Sequence, residues 1–199
     1  MSSVPVQLSP GAPLRLRRIT VEEYHRMIRD GYFADDERFE LIDGMILEKV
    51  SKNPPHESVR QRARKQIEPQ LPATVTLRLE APITLSRSEP EPDLAVACGS
   101  DDDYVTRHPG PRDVLLLIEV SDTTLDTDAG VKLAEYAREG IAPYLILNLA
   151  ERCIERFDRP QGDRYAERLV FSIGQVLELT VAGQAVRIDV AALFDGLRA

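Results

Sequence analysis

The run Val114-Leu115-Leu116-Leu117-Ile118-Glu119-Val120-Ser121 constrains the fold of this chain more than any other segment. Its apolar, partly β-branched residues read as a strand, and strand side chains alternate between faces. Val114, Leu116, Ile118 and Val120 take one side; Leu115, Leu117, Glu119 and Ser121 take the other. Both sides are apolar, so the strand is central in a sheet covered on both faces. Glu119 breaks the pattern at the C-terminal end. A buried carboxylate is costly unless something compensates it, and active sites of open α/β sheets lie near strand ends.

A second acid has a similar setting. Asp93 follows Glu91-Pro92 and opens a strand over 93–98, pointing with Ala95 and Ala97, whose small side chains leave room for a neighbour. If the two strands are adjacent, Asp93 and Glu119 converge. Lys132 follows Asp122-Thr123-Thr124-Leu125-Asp126-Thr127-Asp128, a stretch rich in helix-capping residues. It is expected in the first turn of a helix over about 129–139 that ends at Gly140. A lysine there opposes the helix dipole, and a broken local rule points toward function. Two carboxylates and a lysine suggest a cation site built for an anionic substrate, with a phosphodiester the best candidate. Taken singly, each residue has a plain alternative: a turn residue, a strand-end ion pair, a solvated lysine.

The remaining pattern predicts an α/β sandwich around a mixed sheet. Residues 1–18 read as a loose arm with a basic end, Leu14-Arg15-Leu16-Arg17-Arg18, and residues 19–199 as one domain. Within that domain a core is expected over about 19–160 and a β-rich extension over 161–199. Thr20 and Glu23 form a capping-box pattern, followed by an apolar face of Tyr24, Met27 and Ile28. Asp43-Gly44 marks the turn of a hairpin over 38–50. Pro54-Pro55 breaks the chain before a polar helix over 56–68. Strands are expected at 74–80, 143–149 and 152–157, the last two paired.

Composition excludes several classes. Of 199 residues, 43% are hydrophobic, enough for a sizeable core. No run of about 18 apolar residues offers a membrane span, and no signal pattern opens the chain, so a cytoplasmic protein is expected. The two cysteines, Cys98 and Cys153, lack metal-ligand spacing and read as small core residues. A net charge of −8 argues against broad, sequence-independent nucleic-acid binding. A local basic groove stays open: Arg60, Arg62, Arg64 and Lys65 on the polar helix are candidate phosphate contacts, or else a solvated face.

The ordered set Ile19-Thr20-Val21-Glu22-Glu23-Tyr24, Arg38 to Gly44, His56, Glu91-Pro92-Asp93, Ile118 to Ser121, Asp128 with Lys132, Tyr136, and Gly140 leading to Pro143-Tyr144 resembles the Uma2 family (DUF820). That family belongs to the PD-(D/E)XK nuclease superfamily. The resemblance covers roughly 19–160. It implies a restriction-endonuclease-like core, a mixed β-sheet flanked by helices, with Asp93 and Glu119 binding a divalent metal. It implies that Lys132 takes the role of the superfamily lysine, whose usual position here holds Ser121. Glu40 matches the early acidic residue of the fold. His56 is a candidate to orient a carboxylate or phosphate, and Ser121 and Asp128 are candidate supporting residues. Two segments depart from the family pattern: Ser121-Asp122-Thr123-Thr124 lacks a proline after the serine, and Pro143 to Asn148 lacks the usual Tyr-Trp and aspartate.

The implied chemistry is Mg²⁺- or Mn²⁺-dependent hydrolysis of DNA. Asp93, Glu119 and the carbonyl of Val120 would hold the metal, and Lys132 would position water or stabilise developing charge. DNA is the implied partner and a homodimer the implied assembly. Two alternatives stand beside it: a nuclease-fold module that binds nucleic acid or protein without catalysis, and hydrolysis of another phosphate ester.

Overall fold

The computed structural model describes residues 17–34, 37–49 and 51–197, so the expected arm lies outside the described residues except for Arg17 and Arg18. Those two are tied down, Arg17 to Glu23 and Arg18 to Asp43.

The central element is β5 (Val114–Ser121). It occupies the middle of a six-stranded sheet ordered β3-β4-β5-β6-β7-β8, with β3 (Val75–Leu79), β4 (Leu94–Cys98), β6 (Tyr144–Asn148), β7 (Cys153–Gln161) and β8 (Arg164–Phe171). Only β5 and β6 pair in parallel; every other neighbour is antiparallel. A parallel pair needs a crossover. The helical segment between them supplies it: α3 (Leu125–Thr127), a π-helical turn (Asp128–Lys132) and α4 (Leu133–Arg138).

One face of the sheet is covered by α2 (Pro54–Ile67) through Val59, Ala63 and Ile67. The hairpin β9 (Val176–Val181) and β10 (Gln184–Asp189), with α5 (Val190–Phe194), closes the same face through Leu177, Val186, Ile188 and Leu193. Residues expected as an extension therefore supply the edge strand β8 and a large part of this core. The other face carries Leu117, Tyr144 and Ile146 against Tyr136 and Ile141 of the crossover.

The predicted alternation of β5 holds from Leu116 onward. Between Leu116 and Val114 the register against β4 shifts by one residue. This bulge moves Val114 to the crossover face with Leu117, while Leu115 packs with Leu116 on the other.

Helix α1 (Val21–Arg29) begins at the predicted capping box, with Thr20 and Glu23 bonding each other's main chain. Its buried face is Val21 and Tyr24, whereas Ile28 is 49% exposed. The small cluster it closes, with Leu41, offers no second turn to cover Ile28. Pro54 and Pro55 do not merely interrupt the chain. They start α2, capped by Asn53, where a missing N–H costs nothing. Cys153 is buried as expected, but Cys98, at the end of β4, is exposed.

The hairpin β1 (Phe39–Ile42) and β2 (Met45–Glu48) turns at Asp43-Gly44, both at positive φ. Gly44 is also packed: a Cβ there would lie 2.6 Å from Arg18 Cβ. Gly44→Ala is therefore expected to lower stability by about 1–3 kcal/mol. A drop in the thermal midpoint checks this; an unchanged midpoint would show that Arg17-Arg18 gives way freely.

Candidate active site

The carboxylates of Asp93 and Glu119 sit where the β4–β5 ladder ends. The last main-chain pair is Leu94 with Ile118. Beyond it, the N–H of Asp93 donates to Glu119 Oε2 at 3.2 Å, and the N–H of Val120 donates to Asp93 Oδ2 at 2.8 Å. Side-chain oxygens replace the main-chain acceptors that the diverging strands no longer offer, so two buried donors stay satisfied. Both acids are almost fully buried.

Lys132 reaches this pair from the crossover. Its Nζ lies 3.2 Å from Glu119 Oε1, 3.0 Å from Glu40 Oε1 and 3.8 Å from Asp128 Oδ1. It is not in the first helical turn, as its sequence suggested. It closes the π-helical turn, a feature that recurs at functional sites. Tyr136, four residues on, donates its hydroxyl to the same Glu119 oxygen at 3.0 Å. Asp128 in turn accepts hydroxyl bonds from Ser121 and Thr124, each at 2.7 Å. Glu40 enters from β1 and accepts the N–H of Glu91.

On the open side, His56 Nε2 lies 3.2 Å from Asp93 Oδ2, and Lys52 donates to Asp93 Oδ1 and to Glu80. A cavity of about 280 Å³ opens here. Seven carboxylates (Glu40, Glu48, Glu91, Asp93, Glu119, Asp122 and Asp128) and three lysines (Lys49, Lys52 and Lys132) line it.

This imbalance sets the electrostatics. Burial raises the pKa of Glu119 to about 8, against the pull of Lys132 and with the help of Asp128, Asp93 and Glu40. Burial also raises Asp128. Burial opposes the charge on Lys132, but Glu119, Glu40 and Asp128 outweigh it and hold the ammonium well above its usual range. Burial likewise opposes ionisation of Asp93, yet His56 and Lys52 keep its carboxyl well below the usual carboxylate range. One carboxylate is thus firmly ionised and its neighbour is short of positive charge.

The donor set fits a hard divalent cation in its chemistry: carboxylate oxygens, buried, with negative charge in excess. Val120 turns its main chain toward Asp93, and in an extended strand the N–H and C=O of one residue leave on the same edge. Among the described residues no group of three His, Cys, Asp or Glu side chains is placed to hold a metal ion, so a ligand set here draws on two carboxylates and main-chain oxygen. Asp93 and Glu119, with the carbonyl of Val120, are the groups that would hold a metal.

Of the residues picked out from sequence, Asp93, Glu119, Lys132, Glu40, His56, Ser121 and Asp128 come together. The four cations of α2 do not, and none lines the cavity. Arg60 is buried between Glu57 and Glu80. Arg62 donates to the carbonyl of Leu193, Arg64 pairs with Glu68, and Lys65 is exposed elsewhere. Sequence reasoning missed Lys52, which carries no periodic signal in its loop, and the hydroxyl role of Tyr136. The i, i+4 spacing of Tyr136 from Lys132 was the available clue.

A family model described as "Uma2: Putative restriction endonuclease" matches residues 21–191. No curated protein matches the sequence. Among solved structures, the fold is similar to one described as a putative nuclease belonging to DUF820 from Anabaena variabilis ATCC 29413. The TM-score is 0.65 and the identity 16%, over 88% of this chain and 97% of that one. No helix of the described residues is long and apolar enough to cross a membrane.

Proposed function

The chain belongs to the Uma2 family, and from that premise we propose that it is a metal-dependent endonuclease that hydrolyses DNA phosphodiester bonds. The observation that carries this reading is the convergence of Asp93 and Glu119 at one ladder end with Lys132 at 3.2 Å.

Bound Mg²⁺ or Mn²⁺ would supply polarisation of the phosphate and a more acidic water. The chain's own groups do the rest. Asp93 and Glu119 would hold the cation, and the N–H bonds at the ladder end fix their separation. His56 steadies the Asp93 oxygen that also receives Val120. Lys132, charged and buried, faces the same space and stabilises negative charge that develops on the phosphate. A cavity lined by seven carboxylates repels a polyanion. Entry of a phosphodiester would therefore need a counter-cation, which supports the metal-dependent reading.

The test is incubation of the purified protein with linear, supercoiled and single-stranded DNA in Mg²⁺ or Mn²⁺. Cleavage that EDTA abolishes is expected; no cleavage of any nucleic acid with either metal would overturn the reading. The second reading, a binding module without catalysis, is favoured by one observation: lysines already sit on both carboxylates. It predicts no Mn²⁺ binding at all.

A further inference from the structure

Lys52 comes from the loop before α2 and is mostly enclosed, its side chain 19% exposed. Its ammonium bridges two carboxylates, Asp93 Oδ1 and Glu80 Oε1. The other Asp93 oxygen is committed to the Val120 N–H and to His56. Oδ1 is therefore the one Asp93 oxygen that faces the cavity without a main-chain or histidine partner, and Lys52 covers it.

Glu80 is built to keep that lysine nearby. It follows β3 at φ +45, a left-handed conformation that residues with a Cβ rarely adopt. Backbone strain of this kind persists where the surroundings hold it, often beside active sites. Its N–H donates to the carbonyl of Asp93, so the two residues are locked side by side. Arg60, Nη1 2.7 Å away, holds the second oxygen of Glu80. Lys52 thus has a second carboxylate anchor at Glu80, held by Arg60 and not by the Asp93 carboxylate.

We propose that Lys52 is a built-in competitor for the metal: its ammonium occupies the cavity-facing oxygen of Asp93, and divalent-cation binding would displace it toward Glu80. This rests on the reading of Asp93 as a metal ligand. Two cations cannot share one carboxylate oxygen at contact distance without strong repulsion. Metal binding therefore includes the work of moving Lys52, and the Asp93 carboxylate keeps a counter-charge when the metal is scarce. Lys132 does not play this part, because three carboxylates and deep burial hold it in place.

Calorimetric titration of Mn²⁺ into the full chain tests this, with thermal melting to confirm that each variant is folded. Lys52→Gln is expected to bind Mn²⁺ at least about tenfold tighter than wild type, about 1.4 kcal/mol. Lys52→Ser carries the same expectation should the glutamine variant not fold. Lys52→Arg keeps the competing charge and stays near the wild-type affinity. Asp93→Asn loses binding. If Asp93→Asn loses binding but Lys52→Gln binds no tighter than wild type, the competitor role is overturned and the metal site stands. If neither wild type nor Lys52→Gln binds Mn²⁺, the metal reading itself fails, and this inference with it.

Discussion

Lys132→Met is expected to destabilise the metal-free protein by about 3–5 kcal/mol, the cost of removing one partner from a buried ionic cluster. Methionine fills the space of the lysine stem, so lost packing is a minor part. What remains is Glu40, Glu119 and Asp128 around an apolar side chain, all three buried. Glu119 is already pushed up to about 8 by burial with the lysine present, and losing the lysine removes the main pull that lowers it. Urea unfolding measures the loss. Saturating Mn²⁺ should restore part of it, because anything that binds only the folded state stabilises it. A variant as stable as wild type without metal would mean that Lys132 is not the counter-charge of this cluster.

Asp93→Asn is expected to lower cleavage by about a thousandfold or more, since several kcal/mol of metal-derived stabilisation are lost and each 1.36 kcal/mol is tenfold. The fold should survive. The asparagine side-chain oxygen still accepts the Val120 N–H that terminates the ladder. A single-turnover cleavage rate, set beside a melting curve, separates the two effects. Near-normal cleavage by a folded Asp93→Asn would remove this residue from the metal site.

Much of the architecture was legible because it follows from local chemistry. The doubly apolar run at 114–121 requires a central strand, and it is one. The capping box at Thr20 and the Asp43-Gly44 turn are short-range signals that nothing overrode. The convergence of Asp93 and Glu119 followed from alternation, once their strands were neighbours. Other features depend on tertiary partners. The bulge at Leu115 is invisible in a run that is apolar at every position. Arg60 and Arg62 of α2 looked free because Glu80 and the carbonyl of Leu193 lie far away in sequence, whereas Arg64 pairs locally with Glu68. Lys52 is a lone lysine in a loop, and only the position of Glu80 gives it a role. The core contribution of residues 176–194 was hidden by short, alternating strands that read as peripheral.

The paired bonds between the Asp93 and Val120 amides and the two carboxylates have a mechanical consequence. They are at once the last rungs of the sheet and the spacers between the acids. The gap between the carboxylates is inherited from strand register, as a hinge-pin spacing is inherited from its frame. Widening it means fraying β4 from β5 at the centre of the sheet. Adaptation to a substrate therefore falls to the parts that the ladder does not hold: the Lys52 loop, the N-terminal end of α2 and the threonine-rich segment 123–127.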